Sequence, residues 1–315
     1  MKPLIIGSHT LAWGERTYVM GILNLTPDSF SGDGLLSTPL SSHPSFPAKM
    51  GDDARARETA RSFLAAGADI LDIGGESTRP GSQPVEAEEE KQRVLPAIRA
   101  IAAEFPDALI SIDTCKAAVA EAALAAGAHI INDVWGLRAD PEMAGLAARA
   151  KAPVILMHNR SRPAMVEVRD RLGKAYAGAE YANLLEDVRR ELMESVAIGR
   201  SAGIPAEHII LDPGIGFGKT KEQNLELINR LDEIRRLGYP ILLGPSRKSF
   251  IGYILNLPPD QRVEGTAAAV AVGITRGADI VRVHDVEAMV RVSRMTDALV
   301  RTRQPGFPSE TIKHA

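Results

Sequence analysis

The chain has 315 residues, 45% hydrophobic and 24% charged, which suits one large core and excludes a disordered polymer. A net charge of -3 and an aromatic content of 4% exclude a basic nucleic-acid footprint and the stacking platforms that hold single strands. The longest apolar stretch, around 267–274, is too short to cross a bilayer, and the lone Cys115 can form no internal disulfide, so a cytoplasmic protein free of membrane is expected.

Eight short apolar runs recur at 18–23, 70–73, 109–112, 130–131, 154–157, 209–211, 241–243 and 280–283. Near their C-terminal ends come Asn24, Glu76, Asp113, Asn132, His158, Asp212, Ser246 and His284, and alanine-rich segments with helical spacing separate most of them. A strand–helix unit repeated eight times predicts an α/β fold, the parallel (β/α)8 TIM barrel, whose catalytic groups sit where the strands end. One domain is expected over 1–315, with its core at about 18–302 and a frayed tail at 304–315. Residues 1–17 carry charge and no cleavage pattern, so no leader is expected.

A serine- and proline-rich first loop over 35–51 precedes a predicted helix at 53–66. A second helix is predicted over 85–104, with the acidic run 86–90 as its solvated start. The fifth loop, 159–203, holds an insertion and then a charged helical pattern over 181–202.

Asn24 either starts a turn, as its Pro and Asp neighbours favour, or offers an amide oxygen to a hard cation such as magnesium. The glycine-flanked Ser-Thr-Arg after Glu76 is a plain turn or a close approach to an anion, with Arg79 as a planar donor fork. Asp113, Asn132 with Asp133, and Asp212 would form an acidic ring, and carboxylates so gathered need partners. Two partners answer: a metal cluster, with His158 as the best added ligand, or a heterocycle presenting several N–H groups. Met157 and Phe217 are placed to sandwich a flat ring or simply to fill the core. Cations after runs seven and eight read as an anion clamp, and alternation puts Arg282 and His284 on one face. No nucleophile stands out, since Cys115 has no evident histidine partner.

Taken together, Asn24-Leu-Thr-Pro-Asp-Ser-Phe-Ser, Gly75-Glu-Ser-Thr-Arg-Pro-Gly, Ile112-Asp-Thr, Ile131-Asn-Asp, Leu211-Asp-Pro-Gly-Ile-Gly-Phe-Gly-Lys, Ser246-Arg-Lys-Ser and Arg282-Val-His-Asp resemble dihydropteroate synthase. They stand in that family's order and span roughly 18–300. The resemblance implies condensation of 6-hydroxymethyl-7,8-dihydropterin pyrophosphate with p-aminobenzoate, giving 7,8-dihydropteroate and pyrophosphate for folate synthesis. It implies a sulfonamide target, a dissociative displacement assisted by Mg2+ on Asn24, and a homodimer. By the same resemblance Asp113, Asn132, Asp212, Lys248, Met157, Phe217 and Gly244 hold the pterin, and Arg282 and His284 hold the pyrophosphate. Thr78, Arg79, Pro80, Phe30 and Ser249 meet p-aminobenzoate, and Asp113, Lys248 and Arg79 form the catalytic set.

Three departures stand out. The first loop reads Ser31-Gly32-Asp33-Gly34, which shifts its aspartate by one place, and it is longer than usual through Ser45. Asn159-Arg160-Ser161 replaces the common Met-Gln-Gly after His158. A pterin-dependent methyltransferase would share the acidic ring but needs no pyrophosphate clamp, and the shifted aspartate alone favours a non-catalytic pterin binder. The last helices offer Val270, Ile274, Val290 and Val292 as a face for a second copy or for the barrel.

Overall fold

The computed structural model describes residues 1–26, 52–78, 81–162 and 165–301. The expectations for Phe30, Asp33, Arg79, Pro80, the first loop over 35–51 and the tail lie outside the described residues. The chain opens with an antiparallel hairpin, β1 (Leu4–Ile6) and β2 (His9–Leu11). Then come β3 (Tyr18–Asn24), β4 (Ile70–Gly74), β5 (Leu109–Asp113), β6 (Ile130–Asp133) and β7 (Val154–Met157). A second hairpin, β8 (Val166–Arg169) with β9 (Gly173–Tyr176), occupies the fifth loop. The last strands are β10 (Ile209–Asp212), β11 (Leu242–Leu243) and β12 (Ile280–Val283).

Apart from the two hairpins, all strands are parallel and join in the order β10-β7-β6-β5-β4-β3-β12-β11. A parallel bridge between Leu211 and Ile241 links the two ends and closes the barrel. Around it run α1 (Asp52–Ala66), α2 (Ala87–Glu104), α3 (Ala117–Ala126), α4 (Met143–Ala150) and α5 (Leu184–Ser201). They are followed by α6 (Lys221–Asn229), α7 (Leu231–Arg235), α8 (Ser249–Leu255), α9 (Val263–Thr275) and α10 (Val286–Val300). Local chemistry explains several boundaries. The alanine-rich α3 has high intrinsic helix propensity and stops at Gly127, whose φ of 118° few other residues adopt. Thr220 and Gln223 form a reciprocal capping box that starts α6.

Strand alternation divides the core in two. Leu71, Ile73, Ile110, Ile112, Ile131, Leu156, Leu211 and Leu243 face the helices. Ile70, Leu109, Ile130, Ile155, Ile210, Leu242 and Ile280 fill the barrel interior with Tyr18 and Met20. Leu4 and Leu11 belong to that inner cluster, so the first hairpin plugs the bottom of the barrel. The charge pattern of 1–17 hides this role, because only Leu4 and Leu11 are buried in the cluster, with Ile6 and Trp13 packed against it. Leu4→Ala is expected to cost about 3 kcal/mol of stability in urea unfolding and to leave turnover unchanged. A loss under about 1 kcal/mol would mean that the hairpin does not seal the core.

One expectation is corrected. The acidic run 86–90 is not wholly solvated: Glu90 is fully buried and pairs with Lys116 Nζ at 2.5 Å. For the face offered by the last helices, one of its two readings holds: Val270, Ile274 and Val290 are buried and Val292 packs against the same core, so that face meets the barrel.

Candidate active site

The same alternation that builds the inner plug aims side chains at the mouth above it. Two residues past Ile70, Ile130, Ile155, Ile210, Leu242 and Ile280 stand Asp72, Asn132, Met157, Asp212, Gly244 and Arg282, and four past Leu109 stands Asp113. Register puts Asn24, Gly74, Asp113 and Asn132 side by side across β3 to β6. Opposite them on β7 and β10, Met157 and Asp212 are paired.

Arg282 lies at the centre of the mouth. Its Nε is 2.5 Å from Asp72 Oδ2 and its Nη2 is 2.6 Å from Asp113 Oδ2. Asn132 adds an amide N–H to Asp72 Oδ2 at 3.2 Å. Burial alone would ease loss of the guanidinium proton, but Asp72 and Asp113 hold the Arg282 pKa above its ordinary value. Burial also lifts Asp113 to about 7; Arg282 pulls it down while Asp72 and Glu90 push it up. Asp113 Oδ1 is buried without a partner, an acceptor turned into the mouth.

Asp212 is raised to about 6, chiefly by burial, against the pull of the Gly214 N–H and the Lys248 charge. Its Oδ1 accepts that N–H at 2.7 Å. Lys248 Nζ lies 4.1 Å from the centre of the Phe217 ring, a cation–π contact. Phe217 clusters with Met157 and Val134, with Trp135 packed alongside. A flat apolar wall and a row of acceptors therefore share one mouth.

At the seventh and eighth loops, Ser246 Oγ is 3.0 Å from His284 Nδ1 and accepts the His284 backbone N–H at 3.1 Å. Arg247, in the left-handed region at φ 56°, donates to both oxygens of Asp285. Arg282 and His284 do share a face, yet the Arg282 guanidinium turns to Asp72 and Asp113 and not to His284. Half-buried Ser249 opens α8, while Thr78 and Asn24 are half-buried at the rim.

Several sequence expectations change. Asp133 follows Asn132 and so falls on the outward phase, where its carboxylate accepts the Trp135 and Leu137 N–H groups at 2.8 Å each and shapes a turn. His158 follows Met157 and is likewise outward: its Nε2 faces Glu191 at 3.1 Å and its Nδ1 faces Lys219 at 3.0 Å. Both ring nitrogens are thereby occupied, and among the described residues no group of three His, Cys, Asp or Glu side chains could hold a metal. Among the described residues the acidic ring therefore lacks the ligand set of a metal cluster. Burial, with Asp133 nearby, pushes the Cys115 thiol up to about 12, which removes it as a nucleophile at neutral pH.

Three residues escaped sequence reasoning. Asp72 sits inside an apolar run, and a carboxylate at an inward strand position was its signal. Lys116 bridges Glu76 and Glu90, while Glu76 also accepts the Val85 N–H, so this cluster braces the second loop. Lys219 is buried although charged. The departure after His158 also acquires a purpose, since Arg160 pairs with Glu191 and Asp187 and lies 4.3 Å over the Tyr181 ring. That arginine ties the fifth loop to α5.

Residues 20–284 match the family model of pterin binding enzymes. The chain is 50% identical over 297 residues to the dihydropteroate synthase of Clostridium beijerinckii, covering 94% of this chain and 99% of that one. A Clostridium difficile dihydropteroate synthase solved in the presence of pteroic acid superposes with a TM-score of 0.79 at 44% identity, over 92% of this chain and 99% of that one. The Xanthomonas albilineans dihydropteroate synthase with 4-aminobenzoic acid gives a TM-score of 0.80 at 37% identity, over 94% and 97% of the two chains. With a barrel mouth of buried acceptors beside an apolar wall, and such similarity over nearly its whole length, the chain belongs to the pterin-binding enzymes and, within them, to the dihydropteroate synthases.

Proposed function

We propose that the chain condenses 6-hydroxymethyl-7,8-dihydropterin pyrophosphate with p-aminobenzoate, releasing pyrophosphate and 7,8-dihydropteroate for folate synthesis. The observation that carries this reading is the convergence of Asp113, Asn132 and Asp212 beside Phe217 and Met157, one Asp113 oxygen having no protein partner. An aminopyrimidinone edge presents the N–H donors such acceptors need, and its ring suits the apolar wall. Lys248 borders that ring from the Phe217 side, and Gly244 leaves room beside Arg282.

Arg282 and His284, with Ser246, would take the pyrophosphate, because cations above the seventh and eighth strands suit a phosphate site. Thr78, Arg79, Pro80, Phe30 and Ser249 would bound p-aminobenzoate, the Ser249 hydroxyl meeting its carboxylate. In the reaction the bond from carbon to pyrophosphate oxygen breaks first, the leaving group taking the electron pair. The arylamine nitrogen then attacks the pterin cation and loses a proton. Asp113 stabilises that cation, and Arg282 stabilises the departing charge. Magnesium keeps several waters and takes substrate phosphate oxygens, so the single neutral oxygen of Asn24 is a fitting protein ligand. Bound there, Mg2+ would neutralise charge on the pyrophosphate.

The reading extends to one domain, to the cytoplasm and to a homodimer. Among the described residues no helix is long and apolar enough to cross a membrane. Exposed Leu225, Ile254, Leu255 and Val272 border a groove between α6, α8 and α9, where we seat the second copy.

Pyrophosphate release that requires both magnesium and p-aminobenzoate tests the function. Tight pterin pyrophosphate binding without release would identify a non-catalytic binder instead. The pterin N–H groups need carboxylates, so kcat/KM for the pterin substrate should rise as pH climbs through Asp212 at about 6 and Asp113 at about 7. A flat profile between about pH 5 and 6.5 would remove Asp212 from substrate binding.

A further inference from the structure

Behind the mouth runs a chain of buried polar groups with no part in the roles above. Lys219 Nζ donates to Gly214 O at 2.9 Å, to Phe217 O at 3.0 Å and to His158 Nδ1 at 3.0 Å. An ammonium has three donors and no acceptor, so all three are used. His158 accepts at Nδ1 and therefore donates at Nε2 to Glu191, 3.1 Å away. That tautomer needs a neutral ring, and burial together with the Lys219 charge lowers the His158 pKa to about 4. Arg160 Nε holds Glu191 in turn at 3.0 Å.

The two carbonyls bracket the turn that leaves β10. Gly214, at φ 70°, opens it so close to the end of β7 that a Cβ there would fall 1.9 Å from His158 O. The Gly214 N–H orients the Asp212 carboxylate, and three residues on Phe217 offers its ring to Lys248. Lys219 therefore grips both carbonyls of the segment that carries a polar and an apolar contact of the mouth.

We propose that Lys219 is a positioning residue for pterin recognition: its ammonium, backed by His158 and Glu191, holds the turn that aims Asp212 and Phe217 into the mouth. The inference rests on the reading of that mouth as the pterin site. A fully buried ammonium is costly, and aliphatic packing would suffice if the position served the fold alone. Asp212 on β10 and Glu191 on α5 attract the charge, whereas Lys248 before α8 and Arg160 after β7 repel it; Arg138 repels any charge on His158. Burial dominates and lowers Lys219 to about 7. Below that pH the ammonium meets all three acceptors. Above it the amine has only two N–H donors, and the turn loosens.

The test is calorimetric Kd of 6-hydroxymethylpterin for the parent, Lys219→Met and Lys219→Gln, with KM for p-aminobenzoate at saturating pterin substrate. Lys219→Met should weaken pterin binding about tenfold and Lys219→Gln less, because two amide donors remain. KM for p-aminobenzoate should stay within about twofold in both, because their pterin site is filled. Parent affinity should also fall as pH rises through about 7 relative to Lys219→Gln, the titration of the ligand being common to both. If Lys219→Met fails to fold, Lys219→Gln and this pH difference decide. Parent-like pterin affinity and pH dependence in the folded Lys219 variants would overturn the inference. If Asp212→Asn loses pterin while they do not, only this inference falls; if Asp212→Asn binds normally, the site reading falls with it.

Discussion

Arg282→Met is expected to cost about 3–5 kcal/mol of stability, because it strands two buried carboxylates. Asp72 is fully buried and Asp113 nearly so, and both lean on one guanidinium from β12, two strands away from β4 and three from β5. Without it, burial would drive the Asp113 pKa further up, leaving a protonated acid where the proposed pterin site requires an acceptor. Turnover should therefore collapse together with stability. Urea unfolding of Arg282→Met beside Asp72→Asn/Arg282→Met checks the cause. The double variant should recover part of the loss, since it removes one stranded charge. A single variant as stable as the parent would mean that the carboxylates do not depend on Arg282.

Asp212→Asn should leave the fold almost intact and cost about 3 kcal/mol in pterin binding, a factor of about 100. The amide oxygen can still accept the Gly214 N–H, which keeps the turn. The other atom becomes an NH2 group facing ligand N–H donors, so an acceptor is lost and a clash of like dipoles is gained. Equilibrium binding of 6-hydroxymethylpterin measures the loss. Unchanged affinity would assign Asp212 to the turn alone. The rise of kcat/KM near pH 6 should vanish in the same variant, while the limb due to Asp113 stays.

The barrel was legible because each strand announces itself locally, as a short apolar run ending in a polar residue. Asp113, Asn132 and Asp212 were legible as candidates for the same reason, Met157 and Arg282 by their place beside such ends and Gly244 only through the family resemblance, and period-two alternation delivers them all to the inner face. That rule, applied strictly, would also have removed Asp133 and His158, each one residue past an inward position, and would have flagged Asp72. The first hairpin was obscured because only Leu4 and Leu11 of its side chains are buried in the inner cluster, with Ile6 and Trp13 packed against it from the edge.

Partners were not legible. Arg282 and Asp72 are 210 positions apart, and only closure of the sheet through β12 and β3 to β4 brings a cation to a carboxylate hidden in an apolar run. Lys219 reads locally as a helix-flanking charge, yet it is buried, with His158 after β7 and the carbonyls of Gly214 and Phe217 as its acceptors. Strand identity and inward phase belong to the sequence, since alternation is a property of each strand's own backbone. Which charge is neutralised, which acceptor stays open and which histidine is occupied were decided only by tertiary structure, because burial and pairing depend on residues the chain brings from elsewhere.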